Sequence, residues 1–131
     1  MRNPLALGLA VVVAACGSQP QQQAATNEPQ IKVRSAEQDG LHKLDAMNLA
    51  IALKRAIYDA GFTCPRITDA GFVGAYKNLD EWMARCGERD WAVFAGPDGS
   101  AQVRDCRDLP GTGVPECRIT KRPEGSFSGL Q

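Results

Sequence analysis

Four cysteines are the residues best placed to do chemistry in the body of this 131-residue chain. Cys64, Cys86, Cys106 and Cys117 follow one another at intervals of 22, 20 and 11 residues. A zinc knuckle brings two thiolates within a few residues of each other, and a dithiol redox motif needs Cys-x-x-Cys. Neither spacing occurs here, so the expectation is two disulfides. Four cysteines allow three pairings. The expected pairs are Cys64–Cys86 and Cys106–Cys117, the second stapling a glycine-rich loop. Closing a loop of that size contributes about 3 kcal/mol in the chain-entropy model.

The other reactive side chains form no constellation. His42 is the single histidine and stands among polar residues, where a surface position is expected. No serine lies in a Gly-x-Ser-x-Gly elbow, the turn that exposes a serine nucleophile. Asp98, Asp105, Asp108 and Glu116 flank loops without the spacing of a calcium loop. No catalytic residue, metal ligand or cofactor is expected, and the protein does not read as an enzyme.

A fifth cysteine belongs to a different feature. Residues 5–15 (LALGLAVVVAA) form an uncharged apolar run behind a single positive charge, Arg2. Eleven residues cannot span a bilayer, which takes about 20, but they suit the apolar core of an export signal. The run ends in Val13-Ala14-Ala15-Cys16, which resembles the lipobox of bacterial lipoproteins. That resemblance implies cleavage before Cys16, a diacylglyceryl group on its thiol and acylation, commonly by palmitate, of the new amine. Membrane attachment through two or three acyl chains is stable, at about 0.8 kcal/mol per buried methylene. Among enterobacterial lipoproteins an aspartate after the cysteine commonly retains the protein on the inner membrane. Gly17 stands there, so the expected location is the periplasmic face of the outer membrane.

Residues 17–30 (GSQPQQQAATNEPQ) hold five glutamines, two prolines and no aliphatic side chain larger than alanine. Such a segment cannot offset its ordering entropy by burial. It reads as a tether spanning about 20 Å. The expected organisation is therefore a signal over residues 1–15, a lipidated cysteine and tether over 16–30, a small domain over 31–122 and a frayed tail over 123–131. Fifteen basic residues balance 15 acidic ones, and loss of Arg2 leaves 14 against 15. That balance lacks the basic stripe of a nucleic-acid binder, and 6% aromatic residues make a poor base-stacking platform.

Within the domain, Ile31-Lys32-Val33-Arg34 alternates apolar and basic residues, as a short edge strand or the end of the tether. A turn is expected around Asp39-Gly40. Residues 44–60 (LDAMNLAIALKRAIYDA) are rich in helix-favouring Ala and Leu and are followed by Gly61. At about 100° per residue, Leu44, Met47, Ile51 and Tyr58 fall on one side. Leu49, Leu53, Ile57 and Ala60 fall on another. A helix that covers a sheet needs one apolar stripe. The second stripe lies under a terminal segment or faces a partner, and Leu49, Leu53 and Ile57 are the candidate partner-binding residues.

Beyond Cys64-Pro65 the period shortens to that of strands. Residues 72–76 and 81–86 flank Lys77-Asn78-Leu79-Asp80 as a hairpin. Residues 91–95 (WAVFA) form the most apolar strand, and Gly96-Pro97-Asp98-Gly99 is a turn leading into residues 101–105. Trp82 and Trp91 are expected in the core. Asp-Ala-Gly-Phe occurs at Asp59-Ala60-Gly61-Phe62 and again at Asp69-Ala70-Gly71-Phe72, read as two similar turns or as coincidence. Arg118-Ile119-Thr120 is a candidate last strand.

The expected fold class is α+β, with one N-terminal helix packed on an antiparallel meander of three or four strands. That order resembles the helix-plus-meander modules of the PepSY type, which are mostly binding or inhibitory units. The leading functional expectation is a non-enzymatic, membrane-anchored envelope lipoprotein that binds a protein partner as an accessory or assembly factor. The alternative is an inhibitor of a cell-wall hydrolase or protease, using residues 109–116 as the inserted loop.

Overall fold

A computed structural model describes residues 34–128. The expected signal and tether, with Cys16, and Ile31-Lys32-Val33 lie outside the described residues, as do residues 129–131. No described helix is long and apolar enough to cross a membrane.

The element order is α1 (Ala36–His42), α2 (Ala46–Asp59), β1 (Asp69–Tyr76), β2 (Leu79–Cys86), β3 (Arg89–Ala95) and β4 (Ala101–Asp105), then a short 3-10 turn at Cys106–Asp108. The strands form one antiparallel sheet in the order β1-β2-β3-β4. The α+β class and the meander match the sequence reading, with one helix more than expected. Both disulfides are present as paired there, Cys64–Cys86 and Cys106–Cys117.

The additional helix, α1, replaces the turn expected at Asp39-Gly40. Its start is a capping box. Ser35 Oγ accepts from the Gln38 backbone N–H, and Gln38 Oε1 accepts from the Ser35 N–H, each at 3.1 Å. Gly40 is tolerated inside the helix because Gln38 reaches past it into the sheet. Its amide nitrogen donates to Asn78 O at 2.9 Å and to Ala95 O at 3.1 Å.

The second helix occupies most of the predicted span. Asp45 caps it by accepting from the Asn48 N–H at 2.8 Å. At its far end Gly61 takes φ +87°, and the Phe62 N–H donates to Ile57 O at 3.0 Å. This left-handed close needs a residue without Cβ. The first Asp-Ala-Gly-Phe is thus a helix end, while the second lies inside β1, so the repeat does not mark two similar turns. The hairpin between β1 and β2 is tighter than predicted. Lys77 adopts φ +55°, and the loop closes over Lys77 and Asn78, with Tyr76 paired to Leu79.

Alternation along the strands divides the sheet into two faces. Trp82, Ala84, Trp91 and Val93 point to one face and form the main core with Leu49, Leu53 and Ile57 of α2. Ala92 and Phe94 point to the other, beneath Leu109. The segment after β4 covers that second face and then crosses the β1 edge. Phe72 N–H donates to Lys121 O at 2.8 Å, and Thr120 N–H donates to Phe72 O at 2.8 Å. The crossing depends on Gly71, where a Cβ would stand 2.5 Å from Ile119 Cγ2 and 2.6 Å from Lys121 O. A bridge, not the strand expected at Arg118-Ile119-Thr120, holds this edge.

The expected fraying beyond Pro123 is not seen through residue 128. Glu124 O accepts the Ala46 N–H at 2.7 Å, and Phe127 packs against the main core. The first turn of α2 carries backbone donors without intrahelical partners, and the returning chain satisfies the one on buried Ala46.

Candidate functional site

The two apolar stripes of α2 have opposite environments. Leu49, Leu53 and Ile57, expected to bind a partner, are buried against the sheet. They are core residues, because the flat inner face of the meander accepts that side of the helix. The unpartnered side is the other one. Met47, Ile51 and Tyr58 remain 56%, 50% and 47% exposed. Phe62, just past the helix, lies stacked on Trp91 with ring centroids 4.5 Å apart.

Beside this stripe, Arg55 and Asp59 lead to a groove of about 690 Å³ between α2 and the β3–β4 end of the sheet. Its floor is made of small or aliphatic residues, among them Ala52, Ala56, Val93, Ala95 and Ala101. Glu37 stands on the rim. The surface here is therefore apolar and bordered by charges of both signs.

Two carboxylates enter the sheet where the sequence reading found no candidate chemistry. Asp80 Oδ2 accepts from Arg34 Nε at 2.9 Å and lies 2.9 Å from His42 Nε2. The His42 ring packs on Phe72 and Trp82, with centroids 4.6 Å and 4.8 Å away. His42 is therefore not the surface residue expected; α1 folds it onto the sheet. This cluster ties the N-terminal segment to β2.

Glu81, the next residue, points to the opposite face and is fully buried. Its Oε1 lies 4.0 Å from Cys117 Sγ, and Oε2 has no hydrogen-bond partner among the described residues. Burial raises its carboxyl to a pKa of about 7. The sequence signal for both carboxylates was their position. Asp80 fell in the segment assigned to a turn and Glu81 at the start of the expected strand, and both lie within β2.

Residues 109–116 do not project as one loop. Leu109 is buried and Val114 packs beside it, so that within the segment only Pro110 to Gly113 and Glu116 are exposed. Trp82 and Trp91 are core residues, as expected, although neither indole N–H has a partner among the described residues. Asp98 binds Ser100, and Asp105 binds Arg107. The Arg107 hydrogen bond holds the Asp105 carboxyl down at about 2. No group of three or more metal-ligating side chains occurs among the described residues.

No protein-family model, curated protein or solved structure matches this chain.

Proposed function

We propose that this protein is a membrane-anchored periplasmic lipoprotein whose domain acts as a non-enzymatic, protein-binding accessory module of the cell envelope. The observation that carries the reading is the stripe of Met47, Ile51 and Tyr58, left half-exposed on a helix whose other apolar side is fully used. Burying the rest of each side chain is worth about 1 kcal/mol, and clustered exposed apolar residues of this kind mark interaction sites. The flanks argue for a protein occupant. A helix that lies on anionic lipid carries mainly Lys and Arg on its polar side. Here Asp45, Arg55 and Asp59 border one side, and Lys54 is drawn to Pro65 O at 2.9 Å on the other. The lipobox-like Val13-Ala14-Ala15-Cys16 and the glutamine-rich tether support an anchored domain with reach. The buried position of Leu109 gives an inserted inhibitory loop little length to project.

The test is a mild-detergent pull-down of the lipidated protein from its own membranes, beside Ile51→Asp and a control, Arg104→Ala, on the far face. A stoichiometric partner kept by the control and lost in Ile51→Asp supports the reading. Equal recovery in both variants, or none from the wild type, overturns it. Light scattering of the purified protein shows whether a second copy is the occupant instead.

A further inference from the structure

We propose that Cys106–Cys117 is an exchange-competent disulfide and that Glu81 is the proton donor to Cys117 when it opens. The two disulfides are unlike. Cys64 and Cys86 are both buried in the main core. Cys106 and Cys117 are partly exposed and form part of a surface recess of about 350 Å³, lined also by Arg89, Arg107 and Arg118 and by Glu88, Asp90 and Glu116. A thiolate that enters this recess can reach the Cys106–Cys117 bridge, whereas Cys64–Cys86 is shielded by the core.

The second observation is Glu81. A carboxyl group with one oxygen unpartnered is expensive to bury, and the fold gives it no ion pair. Phe94 and Gly74 stand opposite it on the neighbouring strands. Leu79 and Met83 share its face of β2. The charged side chains of the covering segment, Arg107, Asp108, Glu116 and Arg118, are exposed, as is Arg104 on β4. Among the described residues nothing charged therefore faces Glu81, and desolvation keeps its proton on near neutrality. Cys117 Sγ, at 4.0 Å, carries no hydrogen while the disulfide is intact. The contact becomes a hydrogen bond only when one of the two atoms holds a proton to share.

The step balances as a thiol–disulfide exchange. The thiolate of a dithiol reductant attacks Cys106 Sγ, the Cys106–Cys117 bond breaks, and Cys117 leaves with the electron pair. Glu81 transfers its proton to the Cys117 sulfur and becomes a carboxylate. The second thiol of the reductant, as its thiolate, then displaces Cys106. The reductant is oxidised to a disulfide, and the two cysteines take up its two electrons. Opening releases the segment that holds Leu109 over Ala92 and Phe94, so the second face of the sheet becomes accessible.

The experiment is native reduction of the full chain with dithiothreitol, followed by maleimide trapping and mass mapping, for wild type and Glu81→Gln at pH 6 to 8.5. Labelling of Cys106 and Cys117 well ahead of Cys64 and Cys86 is expected. At equal thiolate concentration the wild-type rate falls as pH rises through about 7, and Glu81→Gln is about tenfold slower at pH 6 without that inflection. Equal rates for both disulfides overturn the proposal, as does a Glu81→Gln profile identical to wild type. If Glu81→Gln does not fold, the wild-type profile decides alone, since a rate without an inflection near 7 removes the proton donor.

Discussion

Asp80 and Glu81 are neighbours on β2, and their carboxylates enter opposite faces of the same sheet. Asp80 meets a guanidinium and an imidazole. Glu81 meets apolar side chains and a disulfide sulfur. One backbone step thus separates a carboxylate that fastens the N-terminal segment from one that costs stability when ionised.

That cost fixes a pH dependence. The folded protein holds the Glu81 proton up to about pH 7, whereas the unfolded chain releases it near the ordinary carboxyl value of 4.5. Between those values the native state binds more protons, so stability falls as pH rises and levels off above about 7. At about 1.4 kcal/mol per unit, the loss is on the order of 3 kcal/mol. Urea unfolding at pH 4.5 and 7.5 measures it, and Glu81→Gln is expected to remove most of the difference. Asp105 acts in a separate window. Its lowered pKa stabilises the fold above the ordinary carboxylate range, and that stability is lost as pH falls towards 2.

Asp80→Ala leaves His42 packed on two rings with no acceptor and Arg34 without its partner. The expected destabilisation is about 2–4 kcal/mol. The damage is local to the junction of α1 with β2. Hydrogen exchange is therefore expected to speed up over residues 36–42 well before it does in β3.

Much of this was legible in the sequence, for identifiable reasons. The strands 91–95 and 101–105 follow from a short apolar run and from the turn residues Gly96-Pro97-Asp98-Gly99 between them, and the absence of Cys-x-x-Cys pointed to disulfides, though three pairings were open. The Ser35-x-x-Gln38 capping box was equally present, but Gly40 outweighed it as a turn signal. It took the long-range bonds of Gln38 to Asn78 and Ala95 to hold that helix. Which stripe of α2 faces inward was not legible, because both are apolar. The choice depends on where the Cys64–Cys86 bridge and the returning Glu124 place the helix on the sheet. His42 and Glu81 are polar residues whose burial is decided by neighbours 30 or more positions away.

The assignment of the two stripes can be tested directly by truncation. Leu53→Ala and Leu49→Ala remove buried volume and are expected to cost about 2–5 kcal/mol. Met47→Ala and Ile51→Ala remove atoms that are half in water and are expected to stay within about 0.5–1 kcal/mol of wild type. Reversed magnitudes in chemical denaturation would place the helix the other way round on the sheet.

Gly71→Ala tests how the C-terminal segment is held. The added methyl would overlap Ile119 Cγ2 and the Lys121 carbonyl oxygen. The carbonyl belongs to the backbone and accepts the Phe72 N–H, so it cannot move aside without breaking the bridge. Overpacking of this kind costs about 1–3 kcal/mol. The effect should extend beyond the site, because the same segment continues to Glu124, which caps α2, and to Phe127, which packs on the core. Proteolysis of Gly71→Ala is expected to begin within residues 119–128 while the sheet remains intact. Loss of both disulfide-linked faces together would instead mean that the returning chain is integral to the core.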